Sequence, residues 1–309
     1  MLPEYLTTHE SLLGDDGGVM TLGLGMLCEH GNCVVLASEQ RATYQTLGSK
    51  QLSPNDECGK QFHLEPLNCV VSVAGSNSTC HAVYSQFAHM VLNLKDKDNV
   101  PTELLMTLLD AARFREMRRV YDWELKKKMG VTLKQWAAGK VPGIKFHRLF
   151  VEYGLSILEN TPFKVEMIVG GFAGNYGMFF KASQKSKLEE ETSPGVYAIG
   201  TGQVDAMEQL NKRGQNVHMS LGRTLLHVYE AMLKAQSRTV GPPPKLVAVI
   251  MRGEPRMLVY PLHSLETWRK TYESRPDTVS LDTSMVAKQE IMNRLRILEK
   301  EEAVSWSPD

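Results

Sequence analysis

Two almost continuously apolar runs, Met20 to Leu27 and Cys33 to Ser38, are each of strand length. Cys28-Glu29-His30-Gly31-Asn32 separates them, and Gly31 and Asn32 suit the positive φ of a tight turn, so the pair predicts a hairpin. A third strand is expected at Asn68 to Val73, ended by Ala74-Gly75 and followed by the potential N-caps Ser76 to Thr79. The period then lengthens. Val83, Phe87, Met90, Val91 and Leu94 form one helical stripe, and Leu104, Leu105, Leu108, Leu109 and Ala112 form another after Pro101. Strands resume at Lys164 to Val169, Gly177 to Lys181 and Gly195 to Ile199. Val204, Met207 and Leu210 then mark a short helix, and Leu221, Leu225, Val228, Met232 and Leu233 a longer one after Ser220. Gly241 and three prolines stop that helix and lead into strands at Leu246 to Met251 and Arg256 to Tyr260.

Groups of strands alternating with pairs of helices argue against a doubly wound parallel sheet and for antiparallel sheets covered by helices, an α+β class. From Arg113 to about Lys145 the pattern becomes strongly charged, and a further helix is expected near Phe146 to Leu158. Residues 113–160 therefore read as a helical insert, with Trp123, Leu125 and Trp136 as anchors and Lys126-Lys127-Lys128 as a solvated helix face. The reading divides the chain into an N-terminal segment, 1–17, a main domain, 18–262, and a helical extension, 263–309, in which Ile291, Leu295 and Leu298 share one face.

Composition narrows the function classes. Lysine plus arginine and aspartate plus glutamate both number 35, so no global field draws the chain to nucleic acid or an anionic membrane. The apolar runs are strand-sized, far short of the roughly 20 residues of a membrane helix, and the first residues lack the pattern of a secretory signal, so a cytoplasmic location is expected. The five cysteines contain no Cys-x-x-Cys, and Cys28 and Cys33 across the turn read as small strand residues rather than a disulfide. The nine histidines are scattered, and neither a metal nor a cofactor is expected.

The sequence carries no Gly-x-Ser-x-Gly elbow, no phosphate-binding Gly-x-x-x-x-Gly-Lys-Ser/Thr loop and no His-Glu-x-x-His. What stands out is Thr21-Leu22-Gly23, then Val34-Val35-Leu36-Ala37-Ser38-Glu39-Gln40-Arg41-Ala42-Thr43. Lys60, Phe62 and Leu64 then lead into Val71-Ser72-Val73-Ala74-Gly75, followed by Ile168-Val169-Gly170-Gly171-Phe172 and Ala198-Ile199-Gly200-Thr201-Gly202. In order and spacing these segments resemble proteasome subunits of the N-terminal-nucleophile (Ntn) hydrolase superfamily, of β-type or bacterial proteasome-related kind, over roughly residues 18–262 apart from the insert. The resemblance implies a four-layer αββα sandwich of the Ntn-hydrolase type with a helical insert.

It also implies a threonine peptidase-like site. Active members attack with the hydroxyl of an N-terminal threonine whose freed amine acts as base. Aligning Thr21-Leu22-Gly23 with the family's opening strand puts Val19 at the nucleophile position, and valine has no hydroxyl. Thr21, two residues on and on the same side of a strand, is the rival nucleophile. Glu39 stands where the family has aspartate, Lys60 matches its lysine, Gly75 its oxyanion donor, and Thr201 replaces the serine of its Gly-Ser-Gly loop. Read without the resemblance, Glu39 and Lys60 are equally a structural ion pair or two surface charges, and Gly75 a turn residue. The family's aspartate before the Leu246 strand is missing from Ser237 to Pro244. The expectation is a subunit with degenerate catalysis, structural or partner-binding in a homo- or hetero-oligomeric assembly, such as a ring, that handles polypeptide. The alternative is an active threonine peptidase or amidase processed before Thr21.

Overall fold

A computed structural model describes residues 22–261, apart from 40–41, 46–51, 56–59, 65–66, 98–99, 140–147, 174–175, 184–188, 191–194, 237–239, 241–245 and 254–257. Val19, Thr21 and the predicted C-terminal extension lie outside the described residues. The first sheet is built from β1 (Gly23–Cys28), β2 (Cys33–Ser38), β10 (Val196–Ile199), β11 (Leu246–Met251) and β12 (Leu258–Pro261) in the order β10-β1-β2-β11-β12. The second contains β5 (Gln61–Leu64), β6 (Cys69–Gly75), β7 (Val165–Ala173), β8 (Tyr176–Ala182) and β9 (Glu189–Glu190), in sequence order. Every pairing in both is antiparallel. β3 (Ala42–Gln45) and β4 (Leu52–Asn55) form a separate two-stranded ribbon.

Strand alternation distributes the core. Cys33, Val35 and Ala37 of β2 join Leu24 and Met26 of β1 under α5 (Gln203–Lys212) and α6 (Leu221–Ala235). The intervening Val34 and Leu36 face the other way, onto Val70, Ile168 and Phe179 of the second sheet. Cys69, Val71 and Val73 of β6 in turn pack under α1 (Asn77–Leu92) and α2 (Thr102–Met129) with Phe87, Leu105 and Leu109. A β2 strand buried at all six positions therefore reads as an unbroken apolar run. The sheets meet most closely at Gly170, where a Cβ would lie 2.7 Å from Val34 Cγ1.

The predicted turn between β1 and β2 is present with a different conformation. It is a 3-10 turn, Glu29–Gly31, whose three residues carry φ of 52°, 58° and 80°, while Asn32 is at −90°. The expectation at Asn32 is thus corrected: the left-handed backbone falls on Glu29 and His30, held by bonds from a distant loop that no local pattern encodes.

The four-layer αββα sandwich of the Ntn-hydrolase type with a helical insert is also corrected. The chain is a mixed α/β fold of two antiparallel sheets and a ribbon, with six α-helices among the described residues. Antiparallel sheets and covering helices do not by themselves define the Ntn-hydrolase type, and Val-Leu-Ala and Val-Gly-Gly runs are what any strand buried on both faces requires. Nor does a helical unit begin at Arg113. α2 is one 28-residue helix whose first half carries the core residues Leu105, Leu109 and Ala112, and it ends at Gly130 in the left-handed conformation. Arg113 is itself buried and donates from Nη2 to the Ser183 carbonyl. Its charge marks a helix facing both core and solvent rather than a boundary.

Beyond α2, α3 (Leu133–Ala137) starts in a capping box formed by Thr132 and Gln135, and α4 (Arg148–Glu159) packs against α2. Leu125 is fully buried and Trp136 lies against Gly154, whereas Trp123 is 49% exposed. Lys126 and Lys128 pair with Asp122 and Glu124 one turn back, at 2.8 and 3.1 Å.

Candidate functional site

Glu39 follows β2 directly, and its amide donates to the Leu22 carbonyl at 3.0 Å. Lys60 immediately precedes β5, and its carbonyl accepts from Val73 of β6 at 2.9 Å. These backbone bonds bring two residues 21 apart in sequence to one end of the paired sheets. There Lys60 Nζ donates to Glu39 Oε1 at 2.5 Å, with the side chains 6% and 0% exposed. Among the described site residues predicted from the sequence, these two are joined side chain to side chain.

Gly75 closes β6 two residues beyond Val73. Its φ of 123° lies in the region that favours glycine, and a Cβ there would sit 2.0 Å from the Lys164 carbonyl oxygen. Ser76 donates to that same oxygen at 3.0 Å. The positive φ thus lets the chain leave the sheet for α1 while staying on β7. Thr201 lies in the turn after β10, beside β1 because Ile199 pairs with Gly23. It is exposed, so it shares this end of the sheets with the ion pair but not its dry environment.

Two further residues belong to the locus. Glu166 of β7 lies opposite Ala74, and its Oε2 accepts from the Gly200 amide at 2.6 Å, fastening the Thr201 turn to the second sheet. Cys80, in the first turns of α1, has its Sγ 3.6 Å from the Ala74 carbonyl. Burial pushes its thiol up to about 12, with the Glu166 carboxylate acting in the same direction and the Lys60 ammonium against it. A thiol so raised is a packing group rather than a nucleophile at neutral pH. Glu166 carried a signal in the sequence, a lone carboxylate inside Val165 to Gly171. Cys80 carried none.

The locus therefore gathers one ammonium and two carboxylates, with Glu39 and Lys60 buried and Glu166 half-buried. Glu39 and Lys60 neutralise each other, while Glu166 is bound to a backbone amide. Two open surface grooves lie elsewhere. One, of about 540 Å³, is lined by Phe114, Met117, Tyr121 and Leu133 between α2 and α3, and the other, of about 600 Å³, by Tyr197, Val204 and Met207 beside α5. Among the described residues no group of three or more His, Cys, Asp or Glu is placed to hold a metal ion, and no helix is long and apolar enough to cross a membrane.

A separate polar network joins α5 to α6. Glu230 accepts from both Arg213 Nε and Nη2 at 2.5 Å, and His227 Nδ1 meets Gln215 Oε1 at 2.7 Å. Burial holds His227 down to about 4, against a smaller opposing pull from Glu230.

No protein-family model matches the chain, and no curated protein matches its sequence.

Proposed function

We propose that this chain serves as a non-catalytic subunit of an oligomeric, protein-degradation-type assembly in the cytoplasm, resembling a proteasome subunit whose catalytic site has degenerated. The observation that carries this reading is the closed Glu39–Lys60 pair. In the resembling family the lysine keeps the nucleophile's surroundings positive. Here Lys60 is buried and donates to Glu39 at 2.5 Å, as in a structural ion pair. Valine at position 19 and the absence of aspartate from Ser237 to Pro244 agree with it. Large apolar side chains on α2 and α4, among them Phe114 at 55% exposed and Tyr153 at 53%, favour a role in binding partner subunits. Cys28, Cys69 and Cys80 are free thiols, in keeping with a reducing compartment.

A second reading, an active threonine peptidase or amidase processed before Thr21, has one observation in its favour. The Leu22 carbonyl is bound by the Glu39 amide, which sets the residue after Thr21 beside the ion pair. Intact-mass measurement of the purified protein, with hydrolysis of fluorogenic peptides, separates the two. The expected result is a chain that keeps its N-terminal segment and cleaves no peptide. A species beginning at Thr21, with hydrolysis abolished by Thr21→Ala, replaces the first reading by the second.

A further inference from the structure

At the opposite end of β1 from the ion pair, His30 and His218 meet from segments 188 residues apart, with Nδ1 3.0 Å from Nδ1. Both rings are exposed, and their centroids lie 5.0 Å apart at 59°, so they converge on their nitrogens rather than stack. The backbone beneath them is pinned. Glu29 and His30 donate to the Met219 and Val217 carbonyls, each at 2.9 Å, while Glu29 Oε1 accepts from the Leu221 amide at 2.9 Å. His218 is held in turn by its own amide, which donates to Asn216 Oδ1 at 2.9 Å. Two consecutive non-glycine residues at φ of 52° and 58° represent strain, and that strain presents His30 toward His218.

A metal–imidazole bond of about 2.0–2.1 Å separates two nitrogens by about 2.9 Å when they are cis at a right angle, and by about 3.3 Å at a tetrahedral angle. The observed 3.0 Å lies within this range, the spacing of two imidazoles that share one divalent transition-metal ion such as Cu²⁺, Ni²⁺ or Zn²⁺. We infer that His30 and His218 form a two-histidine site for such a divalent transition-metal ion, with water completing its coordination. Both imidazoles ligate in neutral form. The ion then staples the β1–β2 turn to the loop before α6, so occupancy stabilises the folded chain over the unfolded one.

Cu²⁺ titration of the metal-free full-length protein tests this, followed by calorimetry, electron paramagnetic resonance and thermal unfolding. The expected result is one saturable site per chain with hyperfine coupling from two nitrogens and a raised unfolding midpoint. His30→Ala and His218→Ala each weaken it by at least about ten-fold and abolish the midpoint rise, while His89→Ala, an exposed histidine on α1, changes neither. Because His218 is exposed, its variant folds and decides the matter even if His30→Ala disturbs the strained turn. Absence of saturable binding, unchanged affinity in His218→Ala, or loss of binding in His89→Ala alone overturns the assignment.

Discussion

Removing the Lys60 ammonium strands a carboxylate at a position with no access to water. Lys60→Met is expected to cost about 3–5 kcal/mol in urea unfolding, with the double change Lys60→Met/Glu39→Leu recovering most of it, because an ion pair is costly to break and cheap to replace. A single-variant loss under about 1 kcal/mol refutes this account of the pair. Gly75→Ala drives a methyl group into the Lys164 carbonyl and forces a disfavoured φ. It is expected to lose at least about 2–3 kcal/mol by the same measurement, and near-neutrality rules out the close approach. Glu39, Lys60 and Gly75 were singled out by the resemblance to proteasome subunits, because each stands where that family carries a site residue. The resemblance did not reveal Glu166, which reaches the locus through β6–β7 pairing across about 90 residues of chain, or Cys80, which reaches it from the start of α1 six residues beyond Ala74.

Helix α6 is buried along most of its length, and through His227 it carries a pH dependence. His227 titrates near 4 when folded, against about 6.5 in an unfolded chain. As pH falls from 6.5 the unfolded state takes up the proton first, so stability is complete above that value and is lost progressively down to pH 4, by up to about 3 kcal/mol. Urea midpoints across this range should show the decline, and His227→Gln should reduce it; an unaltered slope in the variant places the dependence elsewhere. The stripes that predicted α1, α5 and α6 were legible because each helix lies on one sheet and shows it one face. α2 was legible only in its first half. Past Ala112 it leaves the sheet, so its apolar positions thin out and a single helix looked like a helix followed by an insert. The β3–β4 ribbon escaped notice because Ala42 to Gln45 and Leu52 to Asn55 show neither a sustained apolar run nor clean alternation.

Across the whole molecule, the apolar side chains left in solvent on α2 and α4 are expected to be covered by other subunits. Native mass spectrometry and light scattering at micromolar concentration should show an oligomer, and Trp123→Glu with Tyr153→Glu should shift it toward monomer while leaving monomer unfolding unchanged. A strictly monomeric parent protein with no co-purifying partner refutes this. The alternation of strand and helix groups was readable from the sequence, but sheet membership was not, because β1 and β2 find their partners only at Val196–Ile199 and Leu246–Met251. That distance has a consequence during synthesis. The second sheet is complete once the ribosome has released residue 190, whereas β2 has no partner on its far edge until β11 emerges. One half of the protein is therefore ready to fold while the other waits with a wholly apolar strand at its beginning. Stalled nascent chains ending soon after β9 should already resist protease over β5–β8, and those ending before β11 should still be cut within β1 and β2, the interval in which a chaperone has most to protect.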